Sequence, residues 1–409
     1  MRVDGTLDLS GYSPTFNGLA GAGTVTSGSA GNVNLTLGDS NASSSFMGVI
    51  QDGSGTIGLT KTGTGTLTLS GTSTYTGKTI VQAGTLQLGT YNTTGIGLTN
   101  AGVAGPLGAP TGVNATIDLY NGVTLQMGNT NPRVNQATDR TINLAGSGTG
   151  TVSIRTNDND TSFTFGAVTA TGTGAKTLAL FTGYQGNGDR ESMIINGPIS
   201  NADDGSPTSL QVTFTTQTGS ESYVSLNSVN TFTGPITLVK GSNVNSAYLT
   251  IGGVRTKDGN TPGTGSLGNG NYPGAIFLDT NTTLFYDSSA TQILAGQISG
   301  SGALTMSGPG MLTLSASNTY TGVTTLSGGV LAVGHDHAIG DTLTFSGGTI
   351  QSADATSHTL ANTLNALTGN VTVGGSGNLT FSQRLQPSLP ASVTPTPRAN
   401  GLAGVKKSK

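Results

Sequence analysis

The sequence predicts an all-β protein: a single-stranded, right-handed parallel β-helix (solenoid) over residues 1–383, followed by a short disordered tail at 384–409. Three observations predict it. Gly accounts for 66 of 409 residues and charged residues for only 9%, against usual shares of about 7% and ~25%. Thr, Ser, Asn and Gly take the place of helix formers. Thr is β-branched, while Gly and Asn tolerate the positive φ of tight corners. Apolar residues also recur as short apolar-x-apolar pairs, the period-2 mark of a strand with one buried face. Finally, one phrase is written three times: "LTLSGTSTYTG" from Leu67, "VSLNSVNTFTG" from Val224 and "LTLSASNTYTG" from Leu312.

Aligned on their aromatic residues, Tyr75, Phe232 and Tyr320, the copies share apolar pairs on either side. Leu67 and Leu69, Val224 and Leu226, and Leu312 and Leu314 precede the aromatic. Thr79 and Val81, Ile236 and Leu238, and Thr324 and Leu326 follow it. A third pair comes next: Leu86 and Leu88, Leu249 and Ile251, Leu331 and Val333. Gly77, Gly234 and Gly322 mark the turn after each aromatic. Three short strands separated by polar turns make one solenoid coil of about 22 residues, so inward residues of successive coils should stack as ladders. Each aromatic falls at a coil corner, where covering the core is the plain expectation and a surface stack for carbohydrate the sharper one.

Weaker copies fill the intervals. "FNGLAGAGTVTSG" (16–28) has the same beat, and "GVIQDGSGTIGL" (48–59) resembles "GQISGSGALTM" (296–306) with Ile50 aligned to Ile298. "NGVTLQM" (121–127) and "GGTIQS" (347–352) read as strands that open a coil. The pattern stops after "GNLTFS", and the following segment carries four prolines and five Arg or Lys residues, the composition of a disordered tail.

The unit "GTGTLTLSGTSTYTGKTIVQAGTLQLG" (63–89) and its partner "GPGMLTLSASNTYTGVTTLSGGVLAVG" (308–334) resemble the autotransporter-associated β-strand repeat, also called the passenger-associated transport repeat. The resemblance is strongest at 46–89 and 294–334 and weaker at 228–252. It implies a bacterial cell-surface or secreted passenger with a β-helical fold, active in adhesion or autoaggregation, whose repeats support export of the passenger. It also implies an extracellular or outer-membrane location. "MRVDGTLDLSGY" lacks the apolar run of a signal peptide, and no β-barrel translocator follows the repeats. A passenger fragment or truncated reading frame is therefore expected.

Residues able to carry catalytic or metal chemistry are few and scattered. Glu occurs only at Glu191 and Glu221, and the densest acids are Asp158 with Asp160 and Asp203 with Asp204. A glycosidase needs two carboxylates facing one groove, but Asn-Asp runs are ordinary turn formers. Asp158 and Asp160 in "NDND" are the weak candidates for calcium, since they offer several hard oxygens. His335 and His337 could supply two zinc ligands from one strand face, although "GHDHAIG" reads more simply as an exposed corner. A faint protease-like "DDGSP" fails because all three histidines lie downstream of it. No Cys excludes disulfides and thiolate metal sites. A net charge of −3 gives no footprint for nucleic acid, and no apolar run is long enough for a membrane-spanning helix.

The expected function is thus structural and adhesive, without enzymatic activity or cofactor. Partners would be host or bacterial surface glycans or proteins, or further copies of the chain. The alternatives are a β-helical polysaccharide lyase or hydrolase, or a fragment with no independent function.

Overall fold

The structure, a computed structural model, describes residues 1–89, 97–128, 135–156, 162–183, 191–215, 221–241, 244–256, 259–383 and 393–395. Among them are strands and two short 3-10 turns, Gly112–Ala115 and Gly268–Gly270, but no α-helix. The chain divides into two compact units, Met1–Ser222 with Gly241–Val244, and Tyr223–Lys240 with Asn245–Lys409.

In the first unit one face stacks eight strands in chain order: Thr15–Phe16, Gly31–Leu37, Gly55–Lys61, Thr79–Val81, Ile117–Leu119, Ile142–Leu144, Val168–Ala170 and Ile199–Ala202. A second face runs from Ser44–Phe46 through Thr66–Leu69, Thr85–Leu88, Thr124–Met127, Gly150–Arg155 and Lys176–Thr182 to Thr208–Phe214. Short strands such as Thr24–Thr26, Val49–Ile50 and Ser162–Phe165 close the third side. The pairings are parallel, and each strand meets the equivalent strand one coil away. This is the predicted parallel β-helix. It needs no helices because the inner faces of a coil cover one another.

Period-2 alternation sends one residue in two inward, and register then stacks those residues. Leu67 pairs with Leu86, Leu86 with Leu125, Leu125 with Ile154, Ile154 with Leu180 and Leu180 with Val212. All six are buried. Each such side chain contributes about 1.5–3 kcal/mol by leaving water.

The second unit is built alike. Ser246–Ile251, Thr282–Tyr286, Ala303–Met306, Val323–Leu326, Thr342–Phe345 and Thr363–Leu367 form one face. Another runs from Asn271–Tyr272 through Thr291–Leu294, Met311–Leu314, Val330–Val333, Thr349–Ser352 and Val371–Gly375 to Val393–Pro395. Ile236–Lys240, Ile276–Leu278 and Ile298–Gly300 form the third side. One antiparallel hairpin, Gly253–Thr256 with Gly259–Pro262, projects from this framework. Within the segment expected to be disordered, Val393–Pro395 is a strand; its other residues from 384 onward lie outside the described residues.

The uniform 22-residue coil is corrected. Leu67 reaches its neighbour Leu86 after 19 residues, whereas Leu86 reaches Leu125 after 39. The bare coil is shorter than the sequence average, and inserted loops lengthen particular coils without disturbing the register of the strands.

Candidate functional site

The repeated phrase folds into an arch joining two strands, and its third apolar pair belongs to the next coil. Leu67 and Leu69 lie directly beneath Leu86 and Leu88 on one face. Leu312 and Leu314 lie likewise beneath Leu331 and Val333. Each copy therefore contains one complete turn of the solenoid together with the strand that stacks on its start. Three strands per coil was the sequence expectation. The third side here is an arch, because its backbone bonds reach the neighbouring coils without forming an extended strand.

In the first copy Thr74 N donates to Ile50 O at 2.9 Å and Gly77 N to Ile57 O at 2.9 Å. Tyr75 is 0% exposed, and its hydroxyl shares a 2.7 Å hydrogen bond with Thr79 Oγ1. In the last copy Thr319 N donates to Ile298 O and Thr321 N to Gly300 O, both at 2.9 Å. The buried Tyr320 shares a 2.6 Å bond with Thr324 Oγ1. Burial pushes both phenols up to about 12, against the smaller opposing pull of their threonine hydrogen bonds. Coils approach so closely here that a Cβ on Gly77 or Gly322 would overlap the carbonyl of Ile57 or Gly302.

The middle copy shows how the corner tolerates a change. Phe232, also buried, has no hydroxyl, and the residue four positions on is Ile236 where the other copies have threonine. Polar and apolar partners thus change together. Phe232 packs edge-on against Tyr272, ring centroids 5.6 Å apart, and the Tyr272 hydroxyl donates to Gly234 O. Gly234 is itself buried.

The remaining repeat positions, Val81, Val224, Leu226 and Leu326, are buried with the others. Asp158 and Asp160 lie outside the described residues, as does the Glu191 side chain. Asp204 is a turn residue whose carboxylate accepts from Gly174 N and Ser206 N, each at 2.9 Å. His335 and His337 lie with ring centroids 5.7 Å apart, and His337 N donates to His335 Nδ1 at 3.0 Å. His358 Nδ1 faces Asp336 at 3.2 Å, and its Nε2 lies 3.7 Å from Asp354. Among the described residues no group of three His, Asp or Glu is placed to hold a metal ion. No described helix is long and apolar enough to cross a membrane.

Several structural residues escaped the sequence reading. Ser73, Asn230 and Asn318 stand two positions before the aromatics and are buried polar clamps. Ser73 Oγ accepts from Ile50 N at 3.1 Å. Asn318 accepts from Ile298 N on the preceding coil and donates to Ala338 O on the following one, both at 2.7 Å. The alignment of Ile50 with Ile298 held the clue, because both amides bind this position. "NYPGAIFL" was a further missed copy: Tyr272, Gly274, Ile276 and Leu278 have the spacing of the other corners.

Three cations are also buried. Lys61 Nζ donates to Thr62 O, Gly63 O and Ala83 O at 2.5, 2.7 and 3.2 Å. Lys176 Nζ donates to Gly146 O, Gly148 O and Thr173 O at 2.9, 2.7 and 3.2 Å. Arg140 grips an inserted loop through Leu107 O at 2.7 Å and Gly108 O at 2.8 Å. Desolvation lowers the pKa of all three. Each stands at inward parity beside an apolar pair: Lys61 after Ile57 and Leu59, Arg140 before Ile142 and Leu144, Lys176 before Leu178 and Leu180. An aromatic cluster lies apart from the arches. Tyr223 stacks on Tyr248 with centroids 5.0 Å apart, and Arg255 covers Phe285 at 3.6 Å while pairing with Asp287 at 3.1 Å.

The passenger-associated-transport-repeat family model matches residues 59–88 and 300–333. Those two segments hold the arches of Tyr75 and Tyr320 with the strands that close over them. No curated protein and no solved structure matches the chain. The repeat points to an autotransporter passenger and to a surface or extracellular location. The chain thus matches the passenger-associated transport repeat twice, and each match covers a complete coil of the parallel β-helix.

Proposed function

We propose that the chain is a structural and adhesive passenger of a bacterial surface, without catalytic activity, whose repeats support its own folding during secretion. One observation carries this reading: each arch is bonded to the coils on both sides of it. Thr74 binds Ile50 O and Thr319 binds Ile298 O on the preceding coil, while Tyr75 O accepts from Ala109 N and Asn318 donates to Ala338 O on the following one, so each corner is completed by its neighbouring coils. Nearest-neighbour stabilisation of this kind lets folding propagate coil by coil, and a chain that folds as it emerges is drawn outward without ATP. Adhesion would fall to the parts that interrupt the repeat. One is the loop at 97–116, fixed by Arg140 and by Thr138 Oγ1 donating to Thr99 O at 2.8 Å. Another is the half-exposed pair Tyr248 and Phe285, aromatic rings of the kind that pack on sugar C–H faces. Surface glycans or proteins are the partners this exterior fits.

The test supplies the chain with a secretion signal and a β-barrel translocator and scores surface display by external protease. Replacing 300–333 with a scrambled segment should abolish display. Replacing residues 97–116 by a short glycine-serine turn should leave display intact and reduce attachment to glycan-coated surfaces or cells. Normal display of the scrambled chain would remove the folding role. Unchanged attachment after both the loop replacement and Tyr248→Ala would remove the adhesive one.

A further inference from the structure

We propose that Phe277 and the residues around it form a shallow platform for a neutral hexopyranose of a surface glycan. The proposal rests on the adhesive role and gives it a ligand class. On the third side of the second unit Ile236, Ile276 and Ile298 stand in parallel register and are buried. Ile236 N donates to Ala275 O and Ile276 N to Gln297 O, both at 2.9 Å. Residues on either side of these isoleucines point outward. Pro235, Ala275 and Gln297 therefore make one outward column, and Thr237, Phe277 and Ser299 the next. Phe277 is 43% exposed and is the one exposed aromatic residue in the described strands. Among the described residues no ring or cation packs on it.

The coil itself does not call for a ring there. Five positions after the corner aromatics Tyr75, Phe232, Tyr272 and Tyr320 stand Ile80, Thr237, Phe277 and Thr325. Exposed Pro235 and Ala275 extend the apolar floor beside the ring. The half-exposed hydroxyls of Thr237 and Ser299 flank it on the coils before and after. Gln297 Nε2 donates to Ser317 O at 3.1 Å, which leaves its amide oxygen as an acceptor. An apolar floor with a few placed polar groups is what a sugar ring needs. Size and charge select the occupant. A stable protein interface takes about 20–30 residues a side, far more than this patch, whereas one pyranose ring spans about a single coil spacing of ~4.8 Å. From Gly259 to Gln383 the sequence has five Asp and no Lys, Arg or Glu. Asp279, at the outward parity of Phe277, accepts from Lys240 N at 3.0 Å and Thr280 N at 2.7 Å. Lys240 has the parity of the buried Ile236 and Leu238. The outward columns thus offer no cation for a uronate, sialate or sulfate, and a neutral sugar fits. One ring on an open surface binds weakly, with Kd on the order of 1 mM, and many copies on a cell supply avidity.

The experiment titrates the full chain with methyl β-D-glucopyranoside, methyl β-D-galactopyranoside and sodium glucuronate, read by saturation-transfer NMR. Attachment to surfaces coated with neutral polysaccharide, acidic polysaccharide or protein is measured alongside. At least one neutral glycoside should bind, and more tightly than glucuronate. Phe277→Ala should weaken that binding about tenfold or more, and Phe277→Tyr, which keeps the ring, should retain it. Hydrogen exchange at Ile276 and Leu278 reports whether the strand is still formed. A folded Phe277→Ala chain that binds as the parent does overturns the proposal and leaves the adhesive role standing. So does tighter binding of glucuronate, or no binding of either neutral glycoside by a chain that still attaches to a coated surface. Where Phe277→Ala costs the strand its protection, Thr237→Glu/Ser299→Glu takes its place, and unchanged binding overturns the proposal equally. A parent chain that attaches to none of the coated surfaces overturns the adhesive role as well.

Discussion

The Tyr75–Thr79 pair allows a quantitative test of the arch as a core element. Tyr75 is fully buried and Thr79 only 2% exposed. Their hydroxyls share a 2.7 Å bond where water cannot replace either partner. Tyr75→Phe strands the Thr79 hydroxyl and should cost about 1–2 kcal/mol. Thr79→Val strands the phenol and should cost a similar amount. Along its ladder Thr79 lies between Leu59 and Ile117, so an apolar side chain fits once the phenol is gone. The double variant reproduces in kind the Phe232–Ile236 pairing of the middle copy and should recover much of the loss, with a coupling of about 1 kcal/mol or more. Tyr75→Ala, which empties a core site, should cost about 3–5 kcal/mol. Urea unfolding followed by far-UV circular dichroism gives the global values. Hydrogen exchange at Thr74 and Gly77 gives local ones, needed because solenoids can unfold in segments. A coupling indistinguishable from zero, or a Tyr75→Ala cost below about 1 kcal/mol, would mean that the ring is not a structural element.

Three further outcomes are expected. The stability held by neutral Tyr75 and Tyr320 is present in full below pH 10, the ordinary phenol value, and is lost as pH rises through their folded values of about 12. Ionising each ring in the folded chain costs roughly 3 kcal/mol more than in the unfolded one, so phenolate absorbance should appear together with loss of strand signal, and ionisation with strands intact would refute this. Lys61→Met leaves the carbonyls of Thr62, Gly63 and Ala83 without their donor and should cost about 1–3 kcal/mol; a stabilised variant in thermal melts would contradict that. Gly77→Ala drives a methyl into the Ile57 carbonyl, whereas Gly5→Ala meets nothing within 4 Å. The first should cost about 1–3 kcal/mol and the second less than about 0.5, and equal melting temperatures would show that the close approach of coils is not the constraint.

The amino-acid sequence by itself determined the class of fold and the inward positions of the repeat. Period-2 alternation needs no tertiary information, and neither does a phrase written three times. It also held clues that were not read: Lys61, Arg140 and Lys176 stand at inward parity, and Asn318 holds a fixed place before Tyr320. Tertiary structure decided what those positions do. A buried ammonium is tolerable only where carbonyls of adjacent turns converge, and that convergence depends on coils 19 to 39 residues apart in the chain. It also decided that Leu86 begins a new coil above Leu67, because apolar spacing looks alike within a coil and between coils. Composition marked the proline-rich segment as a tail, yet Val393–Pro395 forms a strand. Three residues carry too little pattern to announce a strand, and the edge along Val371–Val373 supplies the hydrogen bonds that make them one.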